Sequence, residues 1–222
     1  VPLPSAQDHK RVFDNDLGPN TGGMGAYSPA PLLPADKARE VCDLAITPIL
    51  RTMKARGHKF VGMLYAGLMY TPRGIMVLEY NVRFGDPECQ PLLMRLDTDL
   101  MEIMQAAVRG ELAGLDIAYR EESALCVVLS AKGYPGSYPK GMKIGGLEAA
   151  EAVAPGLVKV FQAGTRVENE VILSNGGRVL NVTALGKTLA EAQKTAYAAL
   201  ERIDMPDSHY RKDIGNKGLA KL

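Results

Sequence analysis

The chain has 222 residues, 46% of them hydrophobic, enough to bury a sizeable core as one large domain or two small ones, and two are expected. Lys+Arg 26 against Asp+Glu 25 leaves a formal charge of +1, so no global basic field exists to hold a nucleic acid or an anionic membrane. Neither partner is expected, and phosphate recognition must be local.

There is no initiator Met, and Val1-Pro2-Leu3-Pro4 runs straight into a dense polar motif, which suggests a fragment of a longer protein. Residues 34–56 carry Ala38, Val41, Leu44, Ala45 and Ile49 at helical spacing, with Pro34 suited to the start, Gly57 to the end, and Pro48 predicting a kink. Residues 60–70 and 75–81 are strand-like runs joined by the turn sequence Thr71-Pro72-Arg73-Gly74, so a hairpin is predicted. The first of these runs is the longest apolar stretch, about half the ~20 residues a membrane span needs, and no charged-then-apolar leader precedes it. A cytoplasmic protein is expected. Leu100, Ile103, Met104, Ala107 and Val108 then mark one face of a second helix, with Asp97 or Thr98 as its cap and Gly110 at its close.

The weak, charged pattern of residues 111–122 predicts a domain boundary, giving domains 1–115 and 116–222. Beyond it, residues 123–131, 157–162, 170–173 and 178–184 read as strands, the last two joined by the turn signal Ser174-Asn175-Gly176-Gly177. Thr188 and Glu191 form a capping box for a helix whose inner face carries Leu189, Ala192, Ala196, Leu200 and Ile203. The fold class is therefore α+β (mixed α/β). Cys42, Cys89 and Cys126 are odd in number and far apart, so three reduced thiols are expected, with neither a disulfide framework nor a zinc site.

The candidate chemistry lies in three clusters of the first domain. On a strand, alternation puts Glu79 and Asn81 on one face, about 7 Å apart. A carboxylate and an amide oxygen so placed can hold Mg2+ (or Mn2+) and leave coordination positions for water and phosphate. Arg83 continues that face if the strand persists, and its planar fork suits phosphate oxygens. A solvated strand face with Glu79 paired to Arg83 uses the same residues. The turn Gly85-Asp86-Pro87-Glu88 directly after them weighs against that, adding the carboxylates of Asp86 and Glu88. The second cluster is Gln7-Asp8-His9-Lys10-Arg11, which suits an anionic ligand and alone would pass for a charged loop. The third is the loop Gly18-Pro19-Asn20-Thr21-Gly22-Gly23-Met24-Gly25-Ala26-Tyr27-Ser28-Pro29-Ala30-Pro31, whose glycines let backbone N–H groups approach an anion while Asn20 and Thr21 add donors.

Arg83-Phe84-Gly85-Asp86-Pro87-Glu88 with Gln90 and Pro91, the segment Asp8 to Arg11 and the loop through residues 18–31 together resemble the motifs of the phosphoribosylamine–glycine ligase family of the ATP-grasp superfamily. Phe161-Gln162-Ala163-Gly164-Thr165, Gly176-Gly177-Arg178-Val179-Leu180 and Tyr210-Arg211-Lys212-Asp213-Ile214-Gly215 are similar to that family's C-terminal domain. The resemblance implies the C-terminal lobe of an ATP-grasp domain followed by a small β-rich domain. It also implies a reaction of purine synthesis in which ATP phosphorylates glycine and 5-phosphoribosylamine attacks the acyl phosphate. By the same resemblance Glu79 and Asn81 are metal ligands. Arg83, Lys10 and Arg11 face the transferring phosphoryl group, and Asp8, His9, Asn20, Thr21, Gly22, Gly23, Met24, Gly25, Asp86 and Glu88 bind substrate or phosphate. The family's N-terminal portion and its lysine-bearing adenine subdomain are not visible here, so the isolated chain is expected to have little or no ligase activity. Another ATP-grasp ligase or carboxylase, or a non-catalytic binding module, remains the alternative.

Overall fold

The computed structural model describes residues 1–221. In chain order its elements are β1 (Gln7–Asp8), β2 (Arg11–Phe13), β3 (Leu17–Asn20), β4 (Gly25–Ser28), α1 (Ala35–Ala45), α2 (Thr47–Ala55), β5 (Tyr65–Thr71), β6 (Gly74–Asn81), α3 (Cys89–Arg95) and α4 (Leu100–Arg109). They continue as β7 (Ser123–Ala131), α5 (Leu147–Glu151), β8 (Val158–Gln162), β9 (Thr165–Glu168), β10 (Val171–Ser174), β11 (Arg178–Gly186), α6 (Leu189–Leu200), β12 (Ser208–His209) and α7 (Asn216–Leu219). No described helix is long and apolar enough to cross a membrane.

The chain divides into two compact units that interleave along the sequence. Val1–Ser5, Leu33–Gly85 and Leu96–Arg120 form one; Ala6–Leu32, Asp86–Arg95 and the chain from Glu121 onward form the other. The single boundary at 115/116 expected from composition differs from this division. Residues 6–32 and 86–95 join the second unit because β4 is a strand of its sheet, paired with β7, and α3 lies against β7 and β11, a long-range effect that local composition does not carry.

The second unit is built on an antiparallel sheet in the order β1-β4-β7-β11-β8. β7 pairs with β11 along nearly its whole length, and β4 and β12 share its other edge. Ala124, Leu125, Cys126, Val127, Val128 and Leu129 are all buried, as a continuous apolar strand covered on both faces should be. One cover is α6, which sets Leu189, Ala192, Ala196, Ala199 and Leu200 against the sheet. Ile203 lies past the end of that helix, though it still packs against the core. Thr188 accepts from the Glu191 N–H at 3.2 Å, and Glu191 answers at the Lys187 N–H, one residue outside the expected box.

The first unit holds α1, α2, α4 and the β5–β6 hairpin. The predicted helix over residues 34–56 is two helices, parted at Ile46 just before Pro48, as a missing N–H requires. Residues 60–64 are not strand, and β5 begins at Tyr65. α4 is capped by Asp99, whose carboxylate accepts from the Met101 and Glu102 N–H groups, rather than by Asp97 or Thr98. Thr98 instead accepts from the Ala118 N–H at 2.8 Å.

The hairpin expected between residues 170–173 and 178–184 does not form. β10 pairs with β9 across Asn169 and Glu170, both at positive φ, while β11 pairs with β7 and β8. Asn tolerates the left-handed region well enough to make that turn. The glycines at 176 and 177 serve close packing instead.

Candidate active site

In the second unit the motif Asp8-His9-Lys10-Arg11 runs along β1 and into β2, opposite the glycine-rich loop. The Thr21 and Met24 N–H groups donate to the carbonyls of Lys10 (2.7 Å) and His9 (2.8 Å), and the His9 N–H donates to the Gly25 carbonyl at 3.0 Å. The Thr21 hydroxyl also donates to the Lys10 carbonyl and accepts from the Gly23 N–H, each at 2.9 Å. The loop backbone is thus fixed by its own threonine, which explains a hydroxyl rather than an apolar residue there.

Asp8 points into the center of this arrangement. Burial raises its carboxyl to about 6, repulsion by Glu88 adds to the rise, and the Lys10 ammonium 2.7 Å from Oδ2 opposes it. Glu88 is itself buried, so two carboxylates with one ammonium share a poorly solvated corner.

His9 faces the other way. It is buried beside the ring of Tyr27, its Nδ1 lies 3.2 Å from the Gly25 carbonyl, and its Nε2 has no hydrogen-bond partner among the described residues. Burial, with Arg211 and Lys217 adding repulsion, lowers its pKa to about 4, so it is neutral. Met24 is also fully buried, and Gly25 lies inside β4, paired with Val127. The guanidinium of Arg11 donates to the Gly18 carbonyl at 2.5 Å within the same β2–β3 hairpin.

In the first unit, Glu79 and Asn81 lie on one face of β6, opposite Gly67 and Tyr65 of β5. Among the described residues neither side chain makes a hydrogen bond or an ion pair, so both oxygens are available. One carboxylate and one amide oxygen fit a hard divalent cation that takes its remaining ligands from water and phosphate. The strand ends at Asn81. Arg83 is therefore outside the alternation expected of it, with Nη1 donating to the Phe84 carbonyl at 2.7 Å.

Family models cover most of the sequence. One described as Phosphoribosylglycinamide synthetase, ATP-grasp (A) domain matches residues 1–89, and another for the C domain of the same synthetase matches residues 124–217. The phosphoribosylamine–glycine ligase of Vigna unguiculata is 55% identical over 209 residues, 93% of this chain and 67% of that protein. The chain belongs to the phosphoribosylamine–glycine ligase family. The ligase of Mesorhizobium japonicum is 52% identical over 221 residues, all of this chain and 51% of the relative, so the chain spans about half the length of several curated relatives. The crystal structure of the ligase from Thermotoga maritima superposes with a TM-score of 0.82 at 34% identity, covering 96% of this chain and 51% of that one.

Of the residues singled out in this family's motifs, Asp8, Thr21, Gly22, Gly23, Asp86 and Glu88 come together in the second unit. His9 and Met24 are interior, and Asn20 ends the exposed strand β3. Sequence reasoning missed Arg178 and Tyr134. Arg178 Nη1 donates to the Asp86 carbonyl (2.6 Å) and the Gly23 carbonyl (3.3 Å), and Nη2 donates to Asp86 Oδ2 at 3.0 Å. The Tyr134 hydroxyl accepts from the Gly22 N–H at 3.0 Å. The signal for Arg178 was present, an arginine directly after a Gly-Gly pair, but its partners lie 92 and 155 residues away.

Proposed function

We propose that this chain forms part of an ATP-dependent ligase that joins glycine to 5-phosphoribosylamine, giving glycinamide ribonucleotide, ADP and phosphate. The observation that carries the reading is the family membership, with sequence identity of 52% over 221 residues and 55% over 209 residues to two ligases of that name. Another ATP-grasp ligase or a carboxylase would share the metal strand but has no comparable support along the whole chain. The protein is proposed to act in the cytoplasm.

In this reading Glu79 and Asn81 hold Mg2+ or Mn2+, which screens the charge of the transferring phosphoryl group when bound. Arg83, Lys10 and Arg11 are proposed to face that group, and the backbone of residues 20–25 to hold substrate. Asp8 and Glu88 are proposed to receive the cationic amine end of a substrate. Such a ligase needs no protein nucleophile, because positioning and charge stabilization carry the reaction. His9 is better suited to supporting the loop from inside than to touching phosphate.

The test is ADP release by a full-length family member carrying this sequence, supplied with Mg-ATP, glycine and freshly generated phosphoribosylamine. ADP that appears only when all three are present supports the reading. ADP formed equally well without glycine, or with bicarbonate in its place, overturns it.

A further inference from the structure

Arg178 opens β11 at an irregularity in the strand, where the register against β7 shifts between Arg178 and Leu180. A bulge of this kind re-aims a side chain out of the regular alternation. Here it sends the guanidinium out of the sheet toward two loops that are distant in sequence. Both arms are used: one carbonyl from each loop and one carboxylate oxygen of Asp86 accept from it. A planar fork can meet that set of acceptors, whereas an ammonium, being a single point, cannot.

The packing around it leaves no spacer. A Cβ on Gly22 would lie 2.8 Å from Arg178 Cζ, and one on Gly23 would lie 2.4 Å from Pro87 Cδ and 2.8 Å from Asp8 Oδ1. Tyr134, which accepts from the Gly22 N–H, is itself pressed against Gly177, where a Cβ would lie 2.3 Å from its ring. One Gly-Gly-Arg segment therefore supports the loop twice, through Arg178 directly and through Tyr134. The Arg178 side chain is 21% exposed and Asp86 43% exposed, so the contact sits at the rim of the fold and not in its core.

We propose that Arg178 is a positioning residue that locks the Gly22–Gly23 backbone to the Asp86–Pro87 turn, and so sets the geometry in which the ligase receives its non-nucleotide substrates. The inference rests on the function proposed above for the identity of those substrates. Its structural half, the lock itself, does not.

Two measurements on the full-length protein separate them. Amide hydrogen exchange at residues 20–25 should quicken in Arg178→Ala and partly in Arg178→Lys, with the melting temperature nearly unchanged. Unchanged exchange there overturns the lock, whatever the protein catalyzes. In steady-state kinetics KM for glycine or phosphoribosylamine should rise by the order of 10- to 100-fold in Arg178→Ala, as a displaced binding element would cause. KM for ATP should stay near the parent value, and millimolar guanidinium should restore part of the loss. An equal loss for ATP, or activity falling only in step with melting temperature, overturns the positioning role. Absence of glycine-dependent ADP release from the parent protein would instead remove the functional reading and leave the exchange result standing.

Discussion

Arg211 and Asp213, two residues apart, form a paired contact in which Nε meets Oδ1 at 2.8 Å and Nη2 meets Oδ2 at 2.7 Å. The same guanidinium, fully buried, donates to Asp16 Oδ1 at 3.0 Å and to the Arg11 carbonyl at 3.1 Å. The C-terminal segment thereby fastens the β2–β3 hairpin that leads into the glycine-rich loop. Burial alone would raise the Asp213 carboxyl, but hydrogen bonds from Arg211 and the Asn15 N–H outweigh it and hold the carboxyl at about 2. That depression contributes stability above the ordinary value of 3.8, lost as pH falls from there toward 2.

Removing the cation should be costly. Arg211→Met leaves Asp213 without its paired cation, while the more exposed Asp16 keeps Lys217, and breaking a buried pair from one side costs about 3–5 kcal/mol. For a chain of this size that corresponds to a melting temperature lower by about 10 °C. A melting curve that coincides with the parent's would show the clamp to be energetically idle.

Asp8 and His9 make opposite contributions to the pH dependence of stability. Asp8 rises from 3.8 to about 6 on folding, so between those values the folded chain holds a proton the unfolded chain has lost, and stability falls as pH rises. His9 drops from 6.5 to about 4, so over nearly the same window the unfolded chain holds the extra proton, and stability rises with pH. The two slopes nearly cancel in the parent. Asp8→Asn should expose the His9 slope alone, with stability climbing by the order of 3 kcal/mol from pH 4 to 6.5. His9→Gln should expose the reverse slope. Urea midpoints measured across pH 4–7 decide this, and flat profiles for both variants would contradict it.

How much of this was legible beforehand depends on the range over which each feature is determined. β7 was expected over residues 123–131 and occupies Ser123–Ala131, because an unbroken apolar run states its own burial. The inner face of α6 was legible for the same local reason, a 3.6-residue period. β4 was not, since Gly25–Ser28 sits in a Gly- and Pro-rich stretch and becomes strand only by pairing with Val127 to Ala124. The site shows the same division. Asp8, Gly23 and Asp86 could be picked out as motif residues, but that Arg178 joins two of those motifs depends on chain packing across 155 residues. The interior position of His9 is likewise set by Tyr27 and the sheet rather than by its charged neighbors.

Gly23 offers a sharper test of the loop than any polar residue in it. Its φ of +124° is one that side-chain-bearing residues rarely adopt, and an added methyl would run into Pro87 and Asp8. Gly23→Ala should therefore displace the loop at a cost of about 1–3 kcal/mol in local strain. Turnover should fall by about 100-fold, the penalty of an ångström-scale misplacement. Wild-type kinetics in this variant would mean that the loop does not position substrate.

The metal assignment can be tested without disturbing the fold, because Glu79 is exposed on β6 and makes no hydrogen bond or ion pair among the described residues. Glu79→Ala in the full-length protein should leave the melting temperature unchanged and reduce turnover by about 100-fold or more, since a bound divalent ion is worth several kcal/mol and each 1.4 kcal/mol is tenfold. Glu79→Gln keeps one neutral oxygen ligand and should bind Mg2+ more weakly, so that raised Mg2+ recovers part of its rate. Asn81→Ala should resemble Glu79→Ala in direction but be milder, because an amide oxygen carries no full charge. If all three variants turn over at the parent rate in limiting Mg2+, the ion is held elsewhere, and the shared face of β6 is only a solvated strand.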